Sequence, residues 1–206
     1  MSEFSQLILA SASPRRQHML SVNRIPFTVM IPDSEEIPEP GEQGKQYVLR
    51  NAKLKAATVA ARVSENNPIL SADTIVLTKT GKILEKPQDA AHAKEMLQQI
   101  SNDFHLVLTG YALYHGTKEL VARCVETKVY FRALSIAEIE GYIQTGESFD
   151  KAGAYAIQGA AMGFVERIEG SYTNVMGLPL TEVLTDLKAF FGITPFSANN
   201  NEGINS

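Results

Sequence analysis

The sequence predicts an α/β fold on a mixed, largely antiparallel sheet. Apolar runs and helical repeats interleave along the chain, without the strict strand–helix alternation of a doubly wound fold. Two long strand-like runs near the middle are joined only by His115-Gly116-Thr117, which predicts a hairpin. Of 206 residues, 44% are hydrophobic and 20% charged, enough to bury a sizeable core.

Each element has a local reason. Residues 7–10 (LILA) are a continuous apolar run, read as a buried strand. Residues 11–13 turn the chain, and Ser13 before Pro14 reads as an N-cap with proline at the first helical position. That helix runs through Arg15, Arg16, Met19 and Leu20. Residues 27–31 (FTVMI) form a second strand, and 32–44, rich in Pro, Gly and Glu, a loop. A long helix covers about 46–63, with Val48, Ala52, Ala56, Val59, Ala60 and Val63 at helical spacing. Residues 68–78 (PILSADTIVLT) make a strand, and Thr80-Gly81-Lys82 turns it into Ile83-Leu84. Residues 88–100 read as an amphipathic helix, followed by the hairpin strands 105–114 and 120–131. Ser135 and Glu138 make a capping box for a helix to about Thr145, closed by Gly146. Residues 153–177 are Gly-rich around a strand at 163–168, and Pro179 starts a last helix ending near Phe191. One domain over 1–194 is expected, with a polar, frayed tail at 195–206.

Composition narrows the function. Lys plus Arg number 19 against 23 Asp plus Glu, a net charge of −4, which argues against a duplex nucleic-acid binder with its basic face. Cys124 is alone and cannot form an internal disulfide, which fits a reducing compartment, most simply the cytoplasm. No apolar run is long enough for a membrane-spanning helix, and the amino terminus lacks the basic region of a signal peptide.

The basic residues are few, so their clustering is informative. Arg15 and Arg16 sit in the first turn of a helix, where positive charge opposes the macrodipole. A bound anion at that helix start, most simply a phosphate, offsets the repulsion; solvated arginines are the plainer reading. Arg50, Lys53 and Lys55 share the long helix, and Lys55 lies next to its apolar stripe. Asp73 and Thr74 interrupt an apolar strand, and an ionised carboxylate there must be paired, metal-bound or at a solvent-facing strand end. Glu35 and Glu36 are its candidate partners, from the acidic loop. Glu85-Lys86-Pro87 follows a short strand, and the stretch FDKAGAYAIQG is either a ligand-lining loop or a flexible connection. Walker, GxGxxG, HExxH and zinc-ligand patterns are missing, and the histidines are scattered.

Together LILASASPRR, QYVLRNAKLKA, SADTIV, GKILEKP, TGYAL, GESFDKAGAYAIQG and FVERIEGSYTNVMGLPL resemble the Maf family of nucleoside triphosphate pyrophosphatases. The stretches span most of residues 7–192 in family order. The sequence is most similar to the branch that hydrolyses dTTP and UTP, with SPRR where the 7-methyl-GTP branch has a bulky aromatic before the arginines. Asn51 departs from a position that is often apolar, and the tail past Ile193 has no family counterpart; neither is expected to touch the motifs.

The resemblance implies an α/β fold like that of inosine triphosphate pyrophosphatases, an elongated sheet with flanking helices, two lobes and a central cleft. It implies nucleotide-pool house-cleaning by hydrolysis at the α-phosphate, with a divalent cation, Mg²⁺ or Mn²⁺, held by Glu36 and Asp73. It places catalysis on Asp73, Glu36, Arg16, Lys55 and Lys86, and base selection on Arg15, Thr74 and Gln158. Phosphate binding falls to Ser11, Ser13, Arg16, Lys55 and Lys86. The partner is then a nucleoside triphosphate, not a nucleic acid or a membrane, and a homodimer is compatible. A nucleotide-binding regulator of cell division and a pyrophosphatase for modified purine triphosphates are the alternatives. For Gln158, a fixed amide orientation locked by neighbouring loop backbone is expected, because a freely flipping amide pairs with uracil and cytosine alike.

Overall fold

The structure, a computed structural model, describes residues 6–197. Strand β1 (Leu7–Ala10) runs parallel to β2 (Phe27–Val29) on one side and to β3 (Pro68–Thr78) on the other. The short β4 (Ile83–Leu84) returns along β3. On the far side β3 pairs with β5 (Phe104–His115), which forms a hairpin with β6 (Lys118–Phe131), and β7 (Val165–Glu169) closes that edge. The order is β2-β1-β3-β5-β6-β7 with β4 attached to β3, antiparallel except around β1. The mixed, largely antiparallel sheet therefore stands as expected.

Period-2 alternation along β3 divides the molecule. Leu70, Ala72 and Val76 face the main core, under α1 (Pro14–Val22), α3 (Ala90–Ile100), α4 (Ile136–Gln144) and α6 (Leu180–Phe191). Ile69, Ile75 and Leu77 face the opposite side, covered by α2 (Gly44–Ala60). Asp73 follows the second set and Thr74 the first, so the two point to opposite faces.

Helix α2 lies unusually close to the sheet at Gly110, the residue paired with Asp73 across β3 and β5. A β-carbon at Gly110 would meet the Val48 carbonyl oxygen at 2.4 Å. Only glycine allows that approach.

Boundaries differ from the periodicity in places. Helix α2 starts at Gly44, under a Gln43–Gln46 capping box, and ends at Ala60 because its last turn tightens, Arg62 N–H bonding Val59 O. Asp89 caps α3, its Oδ1 accepting the His92 N–H at 2.7 Å, so that helix begins at Ala90. Strand β2 stops at Val29, and β7 begins only after a 3₁₀ turn at Ala160–Phe164. A short helix α5 (Tyr172–Val175), capped by Ser171, lies in the segment read as Gly-rich loop. Pro179 is the residue preceding α6. Of the expected tail, Phe196 N–H bonds Asn23 O at 3.2 Å, so 195–197 are tied down; residues 198–206 and 1–5 lie outside the described residues. Among the described residues no helix is long and apolar enough to cross a membrane. Cys124 is a half-buried free thiol.

Candidate active site

The site forms at a gap in the sheet. The edge of β3 away from β5 pairs with β1 as far as Ser71 and with β4 only from Val76. Between them the edge is open, and it carries Asp73 and Thr74. The chain leaving β1 is Ser11-Ala12-Ser13-Pro14-Arg15-Arg16, and the chain leaving β4 is Glu85-Lys86. Both motifs thus border the gap because they directly follow the two strands that stop there. A cleft of about 550 Å³ opens at this point. Ser11, Ser13, Arg15, Arg16, Glu36, Lys55, Asp73, Thr74, Lys86 and Gln158 all line it.

On the α2 side, Asp73 is almost fully buried and clamped by one helix. Lys55 Nζ donates to Asp73 Oδ1 at 2.8 Å, and Asn51 Nδ2 donates to Oδ2 at 3.0 Å. Residues four apart share a helix face, so both donors come from adjacent turns. Lys55 Nζ also meets Glu36 Oε1 at 2.7 Å, bringing the acidic loop to the strand. Burial pushes the Asp73 carboxyl up, but Lys55, Asn51 and Arg16 together outweigh it and hold the pKa below the ordinary value. The loop bearing Glu36 is fixed from behind. Tyr47 Oη donates to Glu36 O at 3.0 Å, and Arg50 donates to Ile37 O and the Glu42 carboxylate.

On the α1 side, Arg16 is buried and forms a hub. Its Nε donates to Gly177 O at 2.7 Å, Nη1 to Ser11 Oγ at 3.0 Å and Nη2 to Thr74 Oγ1 at 3.1 Å. Burial lowers its pKa to about 10, Arg15 adding to the fall and Asp73 and Glu36 opposing it. Five guanidinium donors minus these leaves one free N–H on each Nη, enough for an anion in the cleft. Thr74 is itself tied to Thr109 Oγ1 at 2.9 Å, so its hydroxyl is committed before any ligand arrives. Arg15 is half-buried; burial lowers its pKa and Asp150 counters.

The Gly-rich stretch forms the far wall with Asp150, Lys151, Tyr155, Ile157 and Gln158. Gly153 and Ala154 both take positive φ, 72° and 59°, folding the chain back against Val76. Tyr155 is anchored by His105, Nε2 to Oη 2.7 Å, and Tyr142 Oη accepts the Ala156 N–H at 3.1 Å. Glu147 accepts the Ala160 N–H at 3.0 Å and passes so near Gly159 that a β-carbon there would clash. Gln158 is exposed and its amide bonds none of the described residues. The expected backbone lock on the orientation of that amide is therefore not formed among the described residues; only the loop's backbone is clamped.

Some candidates fall elsewhere. Arg50 serves the acidic loop, Lys53 pairs with Glu119 on the surface, and Glu35 is exposed outside the cleft lining. Asn51, expected to have no bearing on the motifs, touches Asp73 directly. Its signal was visible as a polar residue on the apolar stripe of α2. Nothing local marked Thr109, Tyr142 or Glu147. Among the described residues no three His, Cys, Asp or Glu side chains converge as a metal site.

The family described as Maf-like protein matches residues 6–190. A dTTP/UTP pyrophosphatase of Geobacter metallireducens is 49% identical over 189 residues, covering 91% of this chain and 97% of that protein. A dTTP/UTP pyrophosphatase of Salmonella typhimurium is 47% identical over 184 residues, 89% of this chain and 92% of that protein. Among solved structures, a HAM1 protein from Coxiella burnetii aligns with TM-score 0.46 and 14% identity, over 88% of this chain and 98% of that one.

Proposed function

The chain belongs to the Maf-like protein family, and on that premise we propose that it hydrolyses dTTP and UTP to the nucleoside monophosphate and pyrophosphate. The observation that carries this is the convergence of Arg16, Lys55 and Lys86 with Glu36 and Asp73 on one cleft. The chain is also nearly half identical to relatives named for that reaction.

A triphosphate carries about four negative charges, which suits basic groups gathered from three separate segments of an acidic protein. Lys55 has three N–H donors, two engaged by Asp73 and Glu36, leaving one for a phosphate oxygen. The free Nη donors of Arg16 and the exposed Lys86 ammonium supply further neutralisation of the leaving pyrophosphate. Asp73, ionised at neutral pH, keeps one lone pair on each oxygen beyond its bonds to Lys55 and Asn51. Through one of these it orients a water molecule for in-line attack and takes its proton.

Glu36 and Asp73 reach the same Lys55 ammonium, so their oxygens are close neighbours. Two carboxylates completed by water and phosphate oxygens suit a hard cation such as Mg²⁺ or Mn²⁺. When bound, the ion would supply Lewis-acid neutralisation of phosphate charge. Base selection falls to Arg15, Thr74 and Gln158, with Thr74 acting through the Arg16–Thr109 network. Ser11 and Ser13 line the phosphate end at the start of α1.

The test is turnover of UTP, dTTP, CTP and purine triphosphates with Mg²⁺, with product analysis. UMP and dTMP plus pyrophosphate are expected. A diphosphate plus orthophosphate overturns α-attack, and tight binding without turnover favours a regulatory role.

A further inference from the structure

Asn51 is fully buried on the face of α2 that packs against the sheet. Its neighbours there, Val48, Ala52, Ala56 and Val59, are apolar and fully buried. A polar residue in such a place needs its hydrogen bonds met. Asn51 meets them only in part. Its Nδ2 donates to Asp73 Oδ2 at 3.0 Å, while its Oδ1 is buried with no hydrogen-bond partner among the described residues. Chemistry fixes which way the amide faces, because its oxygen against a carboxylate oxygen would repel. The Tyr47 hydroxyl, which holds the Glu36 carbonyl, lies beside the same amide. Tyr47, Asn51 and Lys55 thus line one face of α2 at four-residue spacing. Between them they hold the main chain at Glu36, both oxygens of Asp73 and the side chain of Glu36.

We infer that Asn51 is a positioning residue for Asp73. A carboxylate held through Oδ1 alone can rotate about its side-chain bond and sample several planes. A second donor on Oδ2, from the same rigid helix, leaves one plane, with the remaining lone pairs in a fixed direction. Asn51 itself does not line the cleft, so it makes no contact with a nucleotide there. The unpaired Oδ1 is a cost to the fold that a leucine of similar size would not incur. The inference rests on the reading of Asp73 as the carboxylate that orients the attacking water.

The experiment compares Asn51→Leu, which keeps volume and removes the donor, with Asn51→Ser, which keeps a donor. Three quantities are read: kcat and KM for UTP, the melting temperature, and calorimetric binding of a UTP analogue with a methylene between the α- and β-phosphorus. For Asn51→Leu, kcat falls roughly 10- to 100-fold as the carboxylate loses its fixed plane. Analogue binding keeps full stoichiometry and a Kd within about twofold of the parent, since uniform binding is untouched. Asn51→Ser recovers part of kcat. A kcat for Asn51→Leu within about twofold of the parent overturns the inference. So does a loss of kcat matched by an equal loss of binding stoichiometry, which marks a purely structural role. If Asn51→Leu does not fold, Asn51→Ala is read by the same criteria. Failure of the underlying reading looks different: the parent protein does not turn over UTP, or Asp73→Asn does.

Discussion

Replacing Asp73 by Asn separates chemistry from architecture in a single side chain. The substitution keeps shape and removes the charge proposed to take a proton and to hold a cation. Loss of a positioned general base costs about 10²–10⁴-fold in kcat, and weakened cation binding adds to that. The cost to stability follows from the contacts. Lys55 is not left as an uncompensated buried charge, because Glu36 remains at 2.7 Å. Asn51 can flip its amide and offer Oδ1, now unpartnered, to the new amide nitrogen. The Asn51 contact becomes a neutral hydrogen bond and the Lys55 contact keeps only its charged donor, a loss of about 1–2 kcal/mol rather than the ~3–5 kcal/mol of a broken buried pair. For a chain of this size that lowers Tm by roughly 2–8 °C. The assay is UTP turnover with pyrophosphate detection, alongside a thermal melt of the same sample. Turnover near that of the parent in a folded Asp73→Asn protein refutes the role. A drop in Tm far beyond this range refutes the account of how Lys55 and Asn51 are left.

Other expectations test the frame around Asp73. Gly110→Ala places a methyl against the Val48 carbonyl, so α2 must move off the sheet; a loss of about 2 kcal/mol or more by urea denaturation is expected, together with lower kcat, and an unchanged midpoint counts against the close approach. His105 is buried and neutral, its pKa lowered by burial to about 3 against about 6.5 in the unfolded chain. The unfolded state therefore binds a proton first, and its contribution to stability, full above about pH 6.5, fades as pH falls toward 3, by about 2 kcal/mol at pH 5. His105→Gln should flatten that slope between pH 7.5 and 5, and an identical slope in parent and variant counts against it. Gln158→Glu removes the amide donor and sets a carboxylate toward the base; kcat/KM for UTP and dTTP should fall about 10- to 100-fold, and unchanged values show that Gln158 does not read the base.

Much of the molecule was legible in order of residues alone. Hydrophobic period, the Ser135–Glu138 capping box and the His115-Gly116-Thr117 turn are local properties, and the elements they predict are present, the turn itself tightening to Gly116-Thr117. The motifs were legible as well, because Asp73 and the paired arginines break local rules of burial and helix charge. The sequence also marked Asn51 as unusual without saying what it touches. Tertiary structure alone decided that β3 pairs with β1 only as far as Ser71 and with β4 only from Val76, opening the edge of β3 where Asp73 and Thr74 lie. It decided that the two point to opposite faces, one toward the α2 fork and one toward the Arg16 hub. It decided that Tyr142 and Glu147 clamp the loop carrying Gln158, while none of the described residues fixes the orientation of the Gln158 amide. These facts depend on strand register and on the approach of α2 at Gly110, contacts between residues dozens of positions apart. Periodicity reports which face of an element is apolar; it carries no information about which other element that face will meet.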